Sequence, residues 1–112
     1  MMLKNVILGQ IQKKLTTKVG FSPDMVIINI NYLKDVFILE CISEKQTRKA
    51  EDKISNNDDL SQMLRTQLKK KAKLDNIEII ILSIDFLNKR TLAQVYYKEG
   101  NDFKQMEIID VF

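Results

Sequence analysis

The chain has 112 residues, 45% of them hydrophobic and 29% charged, with three Gly, one Pro and a formal charge of +3. This length fits one domain spanning residues 1–112, the composition excludes a disordered chain, and so small a net charge does not by itself define a nucleic-acid protein. The sequence contains no His, which removes the commonest general base and zinc ligand together with every Ser-His or Cys-His nucleophile pair, and with them most hydrolase classes.

From Leu3 to Lys18, the apolar residues Leu3, Ile7, Ile11 and Leu15 recur every four positions. That spacing predicts an amphipathic helix ending at Val19, with Gly20 taking the left-handed turn. Pro23 holds Ser22 extended and leads into "MVIINI" (Met25 to Ile30). This segment and "VFILECI" (Val36 to Ile42) are rich in branched residues and flank the polar "NYLKD", the pattern of a β-hairpin.

Glu44 to Ile54 is charged with sparse apolar points, and "SNNDD" follows. Two short helices or one broken helix are expected here, the second starting near Leu60 and capped by Asp or Asn. Period-two alternation returns in Ile77 to Phe86, Thr91 to Lys98 and Phe103 to Val111, joined by the short links "LNKR" and "EGND". The expected fold is α+β, a single antiparallel sheet of about five strands in the order α-β-β-α(α)-β-β-β with helices packed on one face. No internal repeat is evident. No apolar run approaches the roughly 20 residues of a membrane span, and the N-terminus has no signal-peptide pattern.

The stretch "RTQLKKKAKLDN" is the most basic in the chain. On a helical wheel Leu60, Leu64, Leu68 and Ala72 cluster, which leaves Lys69, Lys70 and Lys73 toward solvent in the last turns, where cations complement the helix dipole. The alternative is a nucleic-acid site made of Arg65, Lys69, Lys70, Lys71 and Lys73, with Arg48 and Lys49 nearby. It lacks interleaved aromatic residues and a Gly-x-x-Gly loop.

Cys41 is the single cysteine and alternates with Phe37 and Leu39. It reads as a buried thiol in a chain suited to a reducing, cytoplasmic compartment. Glu40 interrupts an otherwise apolar strand face, Asp85 lies near a strand end, and Asp58-Asp59 reads as a helix cap rather than a calcium loop. No catalytic residue, metal ligand or cofactor is expected. Both faces of "IEIIILSIDF" are apolar, so the second sheet face calls for a cover, either a helix or another subunit. In the last hairpin Thr91, Ala93, Val95 and Tyr97 are assigned to the core. Leu92, Tyr96, Met106 and Ile108 are assigned to a partner interface.

The element order, with Ser22-Pro23, Val36 to Leu39, Ala50, Leu60, Leu64-Arg65, and Asp85 followed by Ala93 to Tyr97, resembles the small MpsC-like family, which is linked to a sodium-translocating, membrane-potential-generating system. The resemblance implies an accessory or regulatory protein rather than an enzyme and transfers no catalytic residue. The expectation from the sequence is a non-enzymatic interaction module, homodimeric through an apolar sheet face, with nucleic-acid binding as the alternative.

Overall fold

The computed structural model describes residues 3–54 and 58–112, and the side chains of all of these except 3, 58 and 59. The cap expected from Asp58 and Asp59, and the packing expected of Leu3, fall outside what is described. In chain order the elements are α1 (Leu3–Val19), β1 (Met25–Asn31), β2 (Val36–Ile42), β3 (Thr47–Asp52), α2 (Asp58–Ala72), β4 (Ile77–Asp85), β5 (Arg90–Glu99) and β6 (Asp102–Ile109). The strands form one antiparallel sheet in the order β3-β2-β1-β4-β5-β6.

The α+β class and the placement of the helices on one face agree with the sequence expectation, and the sheet has six strands rather than five. The additional strand is β3, in the region expected to be helical. "TRKAED" has little strand propensity, yet pairing with β2 from Phe37↔Asp52 to Ile42↔Thr47 satisfies its backbone. Its charged side chains suit an edge, where they discourage further pairing.

Both helices bury one stripe against the same side of the sheet. Leu8, Ile11, Leu15 and Val19 of α1 and Leu64 and Leu68 of α2 meet the inward residues of the central strands, including Ile28, Leu39, Leu82 and Val95, in one continuous core. Thr91, Ala93 and Val95 are buried as assigned, and so is Cys41. Burial raises the Cys41 thiol pKa above its ordinary value, against the opposing pull of Lys18.

Helix α1 crosses the sheet from edge to edge. Near its start Lys4 pairs with Asp110 just beyond β6, at 3.6 Å, and at its end the Val19 carbonyl accepts from Arg48 of β3 at 3.0 Å. Its 17 residues reach about 25 Å at 1.5 Å per residue, close to the roughly 24 Å between the outer strands of a six-stranded sheet. Helix α2 runs the opposite way. Its Ser61 carbonyl accepts from the Tyr32 hydroxyl beyond β1, and Gln67 further along donates to the Val111 carbonyl beyond β6.

The chain contains an internal structural repeat, where none was expected. Each half is a helix followed by a three-stranded meander, and the first strands of the halves, β1 and β4, pair at the centre. The same special backbone conformations recur 54 positions apart. Asp35 and Lys89 both have φ 54°, each just before the second strand of its half. Asn31 accepts from the Leu33 and Lys34 amides, and Asp85 accepts in the same way from Leu87 and Asn88. Gly20 (φ 86°) and Lys73 (φ 56°), one position off that spacing, close the two helices. Two backbone bonds complete the match, Tyr32 N–H to Glu78 C=O at 2.8 Å and Phe86 N–H to Asp24 C=O at 2.9 Å. The strand–turn segments 25–35 and 79–89 share Ile27/Ile81, Ile30/Ile84 and Leu33/Leu87, and the turn keeps an Asn or Asp acceptor at Asn31 and Asp85, whereas the remaining positions require only burial or a left-handed φ.

Candidate interaction surface

Residues directly opposite one another in an antiparallel pair share a sheet face. The registers therefore define the face away from the helices row by row. One central row reads Lys49, Glu40, Ile27, Ser83, Leu92, Ile109 from β3 to β6, and the next reads Glu51, Ile38, Asn29, Ile81, Gln94, Glu107. Neither helix covers this face. The molecule is only 21 Å thick along its shortest axis, the depth of one sheet and one helix layer. The question left open by the sequence, helix or subunit over the second face, is answered for the helices: α1 and α2 lie on the same side.

The inner part of the open face combines branched apolar side chains with small neutral polar ones. Glu40 sits there, directly opposite Lys49 on one side and Ile27 on the other. Other charges lie at the margins. This arrangement, an apolar and charge-poor centre inside a polar rim, is the make-up of an interface.

Of the four residues assigned to a partner interface, the sheet brings together only Leu92 and Tyr96. Met106 lies opposite Val95 and Ile108 opposite Ala93, so both project toward the helices, Ile108 buried and Met106 packed on the core. The reason is the turn. Glu99 pairs with Asp102 across a two-residue loop, Gly100-Asn101, so even-numbered β5 residues face odd-numbered β6 residues. The β6 residues beside Leu92 and Tyr96 are Ile109 and Gln105. The exposed Phe103 ring stacks on Tyr96 at 6.2 Å.

At one end of the face a hollow of about 500 Å³ is lined by Met25, Leu92 and Ile109, with Asp85 and Arg90 among its polar groups. These three apolar residues are 38%, 38% and 71% exposed, so the hollow collects solvent-facing apolar surface. Asp85 is directly opposite Arg90. Its carboxyl is held below its ordinary pKa first by the Asn88 side-chain amide at 2.8 Å, and also by turn amides and Arg90.

The basic residues belong to the helix layer. Arg65 stacks 4.3 Å from the Tyr32 ring and donates to the Ile77 carbonyl, while Lys71 donates to the Asp110 carbonyl. Lys69, Lys70 and Lys73 are exposed at the end of α2, as the wheel indicated. Arg48 and Lys49 lie on β3, and Arg48 is engaged at the end of α1. Among the described residues no group of His, Cys, Asp and Glu is placed to hold a metal ion, and no helix is long and apolar enough to cross a membrane. No family model, curated protein or solved structure matches the chain.

Proposed function

We propose that the protein is a non-enzymatic interaction module that works in a reducing, cytoplasmic setting and dimerises through the open face of its sheet. The observation that carries this reading is the uncovered, charge-poor face around Ile27 and Ile81, which both helices leave to solvent. The resemblance to MpsC-like proteins points the same way, toward an accessory role. The alternative, nucleic-acid binding through the end of α2, has weaker support because Arg65 is already engaged by the Tyr32 ring and the Ile77 carbonyl, and Lys71 donates to the Asp110 carbonyl.

Size-exclusion chromatography with light scattering tests the reading. A dimer is expected at micromolar concentration. Ile81→Glu, which places a charge at the centre of the face, is expected to give a monomer with unchanged circular dichroism. A wild-type chain that stays strictly monomeric overturns the dimer.

A further inference from the structure

Beyond the face association, and independently of it, we infer that the outer edge of β6 pairs with β6 of a second copy. The two-fold axis is perpendicular to the sheet and passes beside Met106, so that the two sheets run on as one antiparallel sheet. The sheet ends in β3 on one side and in β6 on the other, and the two edges differ. Charged Arg48, Lys49, Glu51 and Asp52 fill β3, the kind of edge that resists pairing. Strand β6, "DFKQMEII", has no Pro or Gly, and its register against β5 runs without a shift from Leu92↔Ile109 to Glu99↔Asp102. It carries the exposed apolar residues Phe103 and Ile109. A regular edge of this kind is a template for another strand.

Along a strand, the backbone groups of successive residues point alternately to the two neighbours. The Asp110 N–H donates to the Thr91 carbonyl at 2.9 Å, so Lys104, Met106 and Ile108 direct their N–H and C=O groups to β5. Phe103, Gln105, Glu107 and Ile109 direct theirs outward. An axis beside Met106 sets Phe103 opposite Ile109 of the second copy, and Gln105 opposite Glu107. Every outward group of the strand then finds a partner, about eight hydrogen bonds in all, because each of these pairs exchanges two. An axis beside Gln105 makes about six and leaves Ile109 opposite the Gly100-Asn101 turn. Axes beside Lys104 and Glu107 set each of those charges directly against its own copy, which is destabilising. Axes nearer the strand ends leave most of β6 unpaired.

The side chains favour the same axis. Phe103 and Ile109 are 51% and 71% exposed, and the pairing sets each against the other twice, an aromatic beside a β-branched residue, which is a favourable cross-strand combination. On the helix side Met106 meets its own copy, and the Lys104 stem lies along Ile108 of the second copy. Asp102 and Lys104 are exposed, so neither helix covers that end of the strand. The two Glu107 carboxylates stand diagonally across the axis, about 7–8 Å apart, close to the screening length of physiological salt. The paired edge is only about 20 Å long, from Phe103 to Ile109 at about 3.3 Å per residue, which puts it among the small, weak interfaces. It therefore forms at higher concentration than the face association.

Amide hydrogen exchange followed by NMR on the Ile81→Glu variant, which lacks the face association and keeps β6 unaltered, tests the edge alone. The Phe103, Gln105, Glu107 and Ile109 amides are expected to exchange about threefold or more slowly at about 1 mM than at about 50 µM. The Met106 and Ile108 amides, bonded to β5 in the single chain, are expected to be the same at both concentrations. Cross-linking then tests the axis. Opposite residues of a non-hydrogen-bonded pair have Cα atoms about 4.5 Å apart, within disulfide reach, so Met106→Cys in the same background is expected to give an oxidised dimer. Lys104→Cys is expected to cross-link about tenfold more slowly or not at all, because it lies opposite Ile108 of the second copy. The native Cys41 is buried and is the same in both variants. Edge amides that exchange alike at the two concentrations overturn the pairing, whether or not the wild type dimerises through its face. Protected edge amides with a faster cross-link at Lys104→Cys than at Met106→Cys overturn the axis.

Discussion

Ile28 and Leu82 lie directly opposite each other across the β1–β4 seam, and each is also the counterpart of the other in the two halves of the chain. A residue paired with its own counterpart marks a two-fold axis. The register around it obeys that axis, since Met25↔Asp85 and Asn31↔Ile79 are the same pair seen from the two halves. The fold is therefore two α-β-β-β units joined side by side, with Ile28 and Leu82 buried where the units meet.

Exchange of the halves is the first prediction. Asp110, just past β6, pairs with Lys4 at the start of α1, so a short linker can join Phe112 to the start of α1 while the chain is opened between Ile54 and Asp58. This circular permutant is expected to keep the wild-type circular dichroism and one cooperative unfolding transition. A permutant that is unfolded at all temperatures would show that the halves are not equivalent units.

Helix closure supplies the second. Gly20 and Lys73 both occupy the left-handed region, where a side chain costs on the order of 1 kcal/mol. Lys73→Gly is expected to stabilise the fold by about 0.5–1 kcal/mol, and Gly20→Ala to destabilise it by about 1 kcal/mol, in urea denaturation. Destabilisation by Lys73→Gly would contradict the capping role.

Tyr32 gives a pH prediction. Burial pushes its hydroxyl pKa up to about 12, partly opposed by Arg65, and the hydroxyl donates to the Ser61 carbonyl. Because the folded-state pKa is raised, the unfolded chain loses this proton first as pH rises from about 10. The stability linked to Tyr32 is complete below a pH of about 10 and is lost between about 10 and 12. Tyr32→Phe should cost about 1 kcal/mol at neutral pH for the lost hydrogen bond. The gap from wild type should close through the alkaline window, as followed by chemical denaturation. A gap that is constant across this range would count against a buried, protonated hydroxyl.

The end of α2 yields a prediction about nucleic acid. With Arg65 and Lys71 engaged in the fold, Lys69, Lys70 and Lys73 remain at the helix end. Duplex binding through these three would give a slope of log affinity against log salt of about −2.7. The expectation is no salt-dependent binding in a fluorescence-anisotropy titration. A slope near that value, lost in a Lys69→Ala, Lys70→Ala double variant, would establish the alternative function.

The amino-acid sequence by itself determined most of the local structure. Four-residue spacing, ended by Gly20, set α1, and runs of branched residues set β1, β2 and β4. The alternation of Thr91, Ala93 and Val95 picked out the core face of β5, because burial on one side of a strand leaves a period-two record. Tertiary structure decided what has no local record. Residues 47–52 became a strand because β2 offered a hydrogen-bonding edge, a demand that outweighs weak propensity. Met106 and Ile108 turned toward the helices because the two-residue loop fixed the parity of β6 against β5, and a register one residue away would have reversed every side chain. The repeat leaves a sequence record only around the turns, in the Asn31 and Asp85 acceptors and Leu33 and Leu87; elsewhere it persists in φ angles and burial, which do not require matching residues. Which face stayed open was decided only when both helices packed on the same side, since the apolar residues on the two faces of β4 are nearly alike in the sequence.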